Sequence, residues 1–506
     1  MSIARQLAAH EQEISEVVEQ SFQAFLSYRK KSGNEKAIFL DSIAEQIEAE
    51  GDTLIQTAAR ETNLPAARLT GERARTTMQL RMFATMLREG NWLEASIDTA
   101  QPQRAPLPKP DIRKMLFPIG PVIVFGASNF PFAYSTAGGD TASALAAGCS
   151  VIVKAHPAHP ETSFRVYQAI LRAIEKCKMP PKVFQHVQID NEGAKALVQH
   201  PKTAAVGFTG SYSGGKALYD YAHQRKKPIP VFSEMGSINP VIILPDSLEK
   251  NTDVLANNYA GSISLGLGQF CTNPGLLIAV ESKSLNAFIQ TLGTGLSQVT
   301  PGKMLHEGIH KSYIERRNKA IQQHGVEAAV NIDPREDKTM AIPMLAFVKG
   351  EVFLRNPYLH EEVFGPYSLV VRCRDMDELK NVWKSVAGQL TTSIMGTEND
   401  FSNNPDLIDI AQDIAGRIVF NGVPTGVEVC PSMMHGGPFP ATTDNRFTAV
   451  GIHAVKRWVR PVSFQSCPQQ LLPDELKNEN PLGIYRLVNN EMTKEVVSAE
   501  VNPIQA

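Results

Sequence analysis

The chain has 506 residues, 43% hydrophobic and 20% charged, which is long enough for two or three packed cores and ordinary for a globular protein. A formal net charge of -2 excludes a nucleic-acid or membrane-surface binder driven by bulk charge, and no stretch approaches the ~20 apolar residues of a membrane span. The six cysteines (Cys149, Cys177, Cys271, Cys373, Cys430 and Cys467) form no CxxC pair, and Met1–Arg5 opens no signal-peptide core, so the expectation is a cytoplasmic enzyme with no disulfide framework and no metal.

Residues from about 10 to 95 read as helices. Phe39, Leu40, Ile43 and Ile47 recur at helical spacing, as do Met78, Met82, Phe83, Met86 and Leu87. These helices are read as packing material and are assigned no chemistry. The Pro-rich stretch 101–109 is extended. Short apolar runs then alternate with helical ones. The runs are Val122–Phe125, Val151–Lys154, Val183–His186, Ala204–Phe208, Val231–Phe232 and Val241–Leu244. Crossover helices are expected over 133–147, 161–176, 192–200 and 212–224. This alternation is that of a doubly wound parallel α/β sheet, whose ligands sit at the carboxyl ends of its strands. Beyond Cys271 the alternation resumes, with strands at 276–280, 368–372 and 417–420 and helices at 285–296 and 376–386, which predicts a second α/β domain. Residues 424–446 form a Gly/Pro/Met-rich loop, and the tail after about 470 carries no motif.

Two stretches stand out for chemistry. Gly268-Gln269-Phe270-Cys271 follows a small-residue segment and precedes Thr272-Asn273-Pro274-Gly275, a shaped loop that can position a nucleophile. Glu234 ends an apolar run and precedes Gly236, which suits a general base. Taken singly, a cysteine is more often a small buried hydrophobe and a glutamate more often solvated. The strand–turn–helix around Gly210 and Ser211 can hold a phosphate or serve packing alone. Lys154 at a strand end can reach a ribose or snorkel to solvent. Asn129 can donate to an oxyanion or shape a turn. Glu362 and Phe364 can hold a sugar and a flat ring, or be a loop carboxylate and a core aromatic.

In this order, Asn129-Phe130-Pro131, Lys154, Phe208–Ser211, Glu234-Met235-Gly236, Gly268–Cys271 and Glu362–Pro366 closely resemble the aldehyde dehydrogenase superfamily, over roughly residues 20–465. Gly126–Phe132, Val153–Pro157 and His435–Pro440 resemble its α-ketoglutaric semialdehyde branch and the fatty aldehyde dehydrogenases of luminous bacteria. The resemblance implies that Cys271 attacks an aldehyde and that Asn129 and the Cys271 N–H stabilise the oxyanion. It also implies that Glu234 activates the hydrolytic water. Lys154 would hold the adenosine ribose, Gly210 and Ser211 the pyrophosphate, and Glu362 with Phe364 the nicotinamide riboside.

The chain departs from the family pattern in places. Glu234 is followed by Met235-Gly236-Ser237-Ile238 where the family often has Leu-Gly-Gly-Lys, and Ser128 stands where many members carry Trp. Pro157 replaces a Glu common in NAD-preferring members. The resemblance therefore implies NADP ahead of NAD, with His156 adding positive charge when protonated. His435 either tunes Cys271 or the water, or is structural. The implied architecture is a Rossmann-type cofactor domain over 1–235, a catalytic domain over 236–430, and a return to the cofactor domain over 431–506. An oligomerisation arm would come from 104–117 with 455–464, giving a homodimer or homotetramer. The expected substrate is α-ketoglutaric semialdehyde, with a medium- or long-chain fatty aldehyde as the alternative. A CoA-acylating enzyme or a non-catalytic structural relative is disfavoured by retention of Glu234, Cys271 and Asn129.

Overall fold

The computed structural model describes residues 3–329 and 339–497, with side chains from residue 12 onward. The outer ends of the expected first and last segments, 1–2 and 498–506, lie outside the described residues.

Five apolar runs pair in parallel in the spatial order 184–187, 151–154, 122–125, 205–209, 231–234. The first strand in the chain lies at the centre and the order reverses beside it, which makes a crevice at the carboxyl ends of the strands. The sheet is covered on both faces, so its strands read as continuous Val/Ile runs: Val122, Ile123, Val151, Ile152 and Val153 are all fully buried. Helices Gly139–Ala147, Pro160–Lys176, Asn191–Gln199 and Tyr212–His223 make the crossovers. Asp190 and Ser211 cap the last two by accepting from the Gly193 and Gly214 N–H groups. The first helix starts six residues later than its expected start at 133, because Phe130–Gly138 forms a turn-rich loop instead.

The second sheet runs 327–328, 344–349, 367–373, 276–280, 241–243, 389–395, 415–420. All its pairs are parallel except the one made by 327–328. Alternation along one strand feeds two cores. Ile242 and Leu244 pack with Tyr313 and Trp383, while Val241 and Ile243 pack with Tyr259 and Phe288. This corrects the grouping of Val241–Leu244 with the cofactor strands. Asn239, at φ 48° before Pro240, turns the chain out of the first sheet and into the second. Strands 344–349 and 389–395 were not anticipated; the latter, Gln389–Met395, is Thr-rich yet entirely buried.

The two stretches expected to form an arm do pair, with shifted bounds. Ile112–Pro118 pairs antiparallel with Val459–Gln465, whereas 104–111 is not a strand and Ile452–Trp458 is a 3-10 helix anchored by the fully buried Trp458. Ser96–Asp98, Arg486–Val488 and Glu491–Thr493 extend this sheet, so the tail that carries no motif contributes two of its strands. Among the described residues no helix is long and apolar enough to cross a membrane.

Candidate active site

Cys271 lies beyond the end of helix Pro245–Ser264, in the expected shaped loop. The chain leaves the helix through Gly266, Leu267 and Gly268, all at positive φ (55°, 56° and 63°). A side chain at Gly268 would run into the Gly365 carbonyl, so only glycine lets the two motif loops cross here. Asn239 then fixes the loop from below. Its side-chain nitrogen donates to the carbonyls of Cys271 and Asn273, both at 2.9 Å, and its oxygen accepts from Ser237 and Thr391. Gln389 Oε1 accepts from the Ser237 hydroxyl and from the N–H groups of Ile238 and Asn239. This buried network was not read from the sequence; the Asn239-Pro240 pair in an otherwise apolar stretch was its only trace.

Glu234 closes strand Val231–Glu234 and His435 comes from the late Gly/Pro loop. Met235 N–H donates to the Ala441 carbonyl at 2.8 Å and Ser233 N–H to Thr443 Oγ1 at 2.9 Å, so the late loop runs along this strand. His435 Nε2 lies 3.6 Å from Cys271 Sγ and 3.0 Å from Glu234 Oε1. The second contact is off the line of the ring N–H, since neither Glu234 oxygen has an aligned hydrogen-bond partner among the described residues. The carboxylate, thiol and imidazole ligand atoms all lie within 4.8 Å of one another. Cys271 keeps part of its surface open, yet its thiol is pushed well above the ordinary range, first by burial and then by the negative charges of Glu234 and Glu362. The resting thiol therefore holds its proton and needs a base to lose it.

Asn129 approaches from the loop after the first strand. Its Nδ2 donates to the Gln269 carbonyl at 3.2 Å, and its own carbonyl accepts from Arg68 Nη2 at 2.7 Å. Cys271, Glu234, Asn129 and His435 are thus brought together from four separate stretches.

The expected cofactor residues line the strand-end crevice. Lys154 ends its strand half-buried, its pKa lowered by burial and partly restored by Asp190. Gly210 and Ser211 are exposed at the start of helix Tyr212–His223, with Gly210 N–H donating to the Glu234 carbonyl at 3.0 Å. Glu362 and Phe364 line a small pocket with Phe270 and Gly268. Gly236 gives Glu362 a bare backbone to pack on, since a Cβ there would lie 2.5 Å from Oε2. Burial pushes the Glu362 carboxyl up to about 7 against a bond from the Ser237 N–H. A crevice with an exposed helix N-terminus at one end and a glycine-floored carboxylate at the other fits an extended dinucleotide. Pro157 is exposed. His156 corrects its expected role. Burial, with His159, His306 and Lys154 nearby, lowers it to about 3, so it adds no positive charge at neutral pH.

A model of the aldehyde dehydrogenase family matches residues 2–437. The chain belongs to this family. The aldehyde dehydrogenase is 47% identical over 480 residues to an α-ketoglutaric semialdehyde dehydrogenase of Azospirillum brasilense, covering 95% of this chain and 91% of the relative. It is 45% identical over 483 residues to an α-ketoglutaric semialdehyde dehydrogenase of Acinetobacter baylyi, covering 95% and 92%. Solved structures share the fold: aldehyde dehydrogenase 21 of Physcomitrella patens in complex with succinate (TM-score 0.76, 18% identity, 90% of each chain) is one. A glyceraldehyde-3-phosphate dehydrogenase of Methanocaldococcus jannaschii complexed with NADP is another (TM-score 0.75, 18% identity, 90% of this chain and 94% of that one). As an aldehyde dehydrogenase the protein oxidises aldehydes, with NAD or NADP as the family's cofactor.

Helix Ala66–Glu89 corrects the reading of the early helices as packing alone. Besides Arg68, it sends Glu72 to the N–H groups of Phe132 and Ala133 in the Asn129 loop. The available signal was Arg68, Glu72 and Arg75, charged residues at helical spacing on one face.

Proposed function

We propose that this enzyme oxidises α-ketoglutaric semialdehyde to 2-oxoglutarate. The observation that carries the chemistry is the placement of His435 Nε2 between Cys271 Sγ and Glu234 Oε1, at 3.6 and 3.0 Å. The thiol proton passes to the imidazole, and the adjacent carboxylate stabilises the charge formed. The thiolate adds to the aldehyde carbon. Its oxygen takes up negative charge facing the Asn129 amide and the Cys271 N–H, an arrangement whose donors are each worth ~10²–10³ in rate. The bound dinucleotide supplies the hydride acceptor that turns the resulting thiohemiacetal into a thioester. Glu234 then takes a proton from water, which hydrolyses the thioester and frees Cys271. The substrate assignment is supported by the two semialdehyde dehydrogenases at 47% and 45% identity.

Lys154, Gly210, Ser211, Glu362 and Phe364 hold the dinucleotide, within a cofactor segment over 1–235 that 431–506 rejoins; 236–430 carries Cys271. NADP is preferred to NAD, because no carboxylate stands at Pro157 to repel a 2′-phosphate. Asp190 offsets part of the Lys154 charge, so the preference is modest. The enzyme works in the cytoplasm as a homodimer or homotetramer joined through the arm sheet.

The test is a steady-state and rapid-quench comparison of wild type with Glu234→Gln, using α-ketoglutaric semialdehyde without coenzyme A. Wild type should release 2-oxoglutarate. The variant should give a burst of reduced cofactor followed by turnover slowed ~10²–10³-fold. An unslowed variant, or product release only with coenzyme A, removes Glu234 from the water step.

A further inference from the structure

The helix face above the Asn129 loop holds more polar hydrogen-bonding capacity than the protein itself satisfies. Arg68 spends Nη2 on the Asn129 carbonyl and lies over the rings of Phe130 and Phe270 at 5.0 and 4.8 Å. Glu72 spends Oε1 on the Phe132 and Ala133 N–H groups at 2.8 and 3.0 Å. Arg75 lies over Tyr134, 5.8 Å from the ring centroid. Its Nε and Nη2 are shielded from solvent and meet no hydrogen-bond acceptor among the described residues. Arg68 Nη1 is in the same condition.

The two open atoms of Arg75 are the side-on pair, whose N–H bonds run parallel and match the two oxygens of a carboxylate. Buried donors of a charged group are costly when left unpaired, so such a fork favours an anion that completes it. Tyr134 ties this fork to the reacting centre. Its ring is 6.2 Å from that of His435, and its hydroxyl feels the charges of Glu234, Arg75 and Cys271 together. Arg417 adds positive charge on the Cys271 side, but two of its nitrogens are taken by the carbonyls of Gly426 and Pro424.

We propose that Arg75 receives the far carboxylate of an anionic aldehyde substrate, bidentately through Nε and Nη2. Arg68 Nη1 adds a second positive pole, and Tyr134 lies along the carbons between. The inference rests on the semialdehyde reading above and names the residue that selects that substrate. A five-carbon semialdehyde spans roughly 5 Å from aldehyde carbon to carboxylate carbon, set by its four C–C bonds. A neutral aldehyde of the same length leaves the Arg75 fork unpaired and is selected against. The internal competitor is Glu72 Oε2, also buried with no hydrogen-bond partner among the described residues, which sits on the same helix face.

The experiment measures kcat/KM for α-ketoglutaric semialdehyde and for pentanal in the full-length enzyme, and follows their ratio. Wild type should favour the anionic substrate. Arg75→Met should cut the ratio about 100-fold, and Arg75→Lys, which keeps the charge without the fork, about tenfold. The inhibition constant of 2-oxoglutarate against pentanal oxidation should weaken about 100-fold in Arg75→Met, a readout that needs no reaction of the anion. If wild type shows no preference for the anionic aldehyde, the substrate reading falls and this inference with it. If wild type keeps the preference and Arg75→Met keeps it too, the inference alone is overturned. A loss that strikes both substrates equally also overturns it, because Arg75 would then be acting through the loop it packs against.

Discussion

The proposed catalytic triangle of Glu234, Cys271 and His435 and the proposed cofactor edge of Lys154, Gly210 and Ser211 both meet the carboxyl ends of the first sheet, through Glu234 in one and Lys154 in the other, yet in different surroundings. Glu234 is 3% exposed and His435 1%, so each charge in the triangle acts on its neighbours with little screening. Gly210 and Ser211 are exposed, and Lys154 keeps part of its contact with solvent. At the edge, as proposed, recognition would come from a helix N-terminus and from charges that water attenuates. On the proposed mechanism, small displacements in the first region would change reactivity strongly, while changes in the second would grade affinity.

The sharpest way to break this comparison is at the thiol. Cys271→Ala should lower aldehyde oxidation by at least ~10⁴-fold while NADP binding, followed by quenching of protein fluorescence, changes little. Comparable loss of both would show that the triangle and the edge are not separable. A middle-sized effect is expected at Glu72, which is buried like the triangle but lies outside every recognised motif. Burial pushes its carboxyl up to about 7 from an ordinary 4.5, against the bonds from Ala133 and Phe132. A carboxyl raised on folding keeps its proton in the folded chain while the unfolded chain loses it. Stability is therefore lost as pH rises from about 4.5 to about 7, by at most about 3 kcal/mol. Glu72→Gln removes this loss, so its melting temperature relative to wild type should rise over that window and level off above it. A difference independent of pH would show that Glu72 stays ionised. The smallest effect belongs to the exposed edge. Pro157→Glu should move the ratio of kcat/KM for NADP over NAD toward NAD by about tenfold, measured at saturating aldehyde. A ratio indifferent to the substitution would place cofactor choice elsewhere.

Much of the architecture was legible because the first sheet is covered on both faces, so its strands are unbroken apolar runs and its crossovers have clear polar faces. Cys271, Glu234 and Asn129 stood out because glycine, proline and polar residues interrupt those runs where a loop must be shaped. Strand Gln389–Met395 escaped notice because Thr391 and Thr392 are buried by hydrogen bonding rather than by apolarity. Arg68, Glu72 and Arg75 were passed over for a different reason. An amphipathic helix shows which side is apolar but not what its charged side faces, and here that side meets a loop some sixty residues away. The shift of Val241–Leu244 between sheets has the same origin, since local pattern predicts a strand without naming its neighbours.

The hydrogen bonds between Ser233 and Thr443, beside the isolated bridge of Glu234 to Thr442, bear on the order in which the chain is made. Asn129, Glu234 and Cys271, the proposed oxyanion donor, water-activating carboxylate and nucleophile, all precede residue 272 in the chain, but His435 and the segment that holds it follow much later. His435 is itself fastened by its N–H to Thr448 and by its carbonyl to the Ala449 N–H. A nascent chain lacking this stretch carries Cys271 without its imidazole partner. On the proposed mechanism, the setting of the reactive thiol is therefore complete only once residue 435 and the stretch that fastens it are in place.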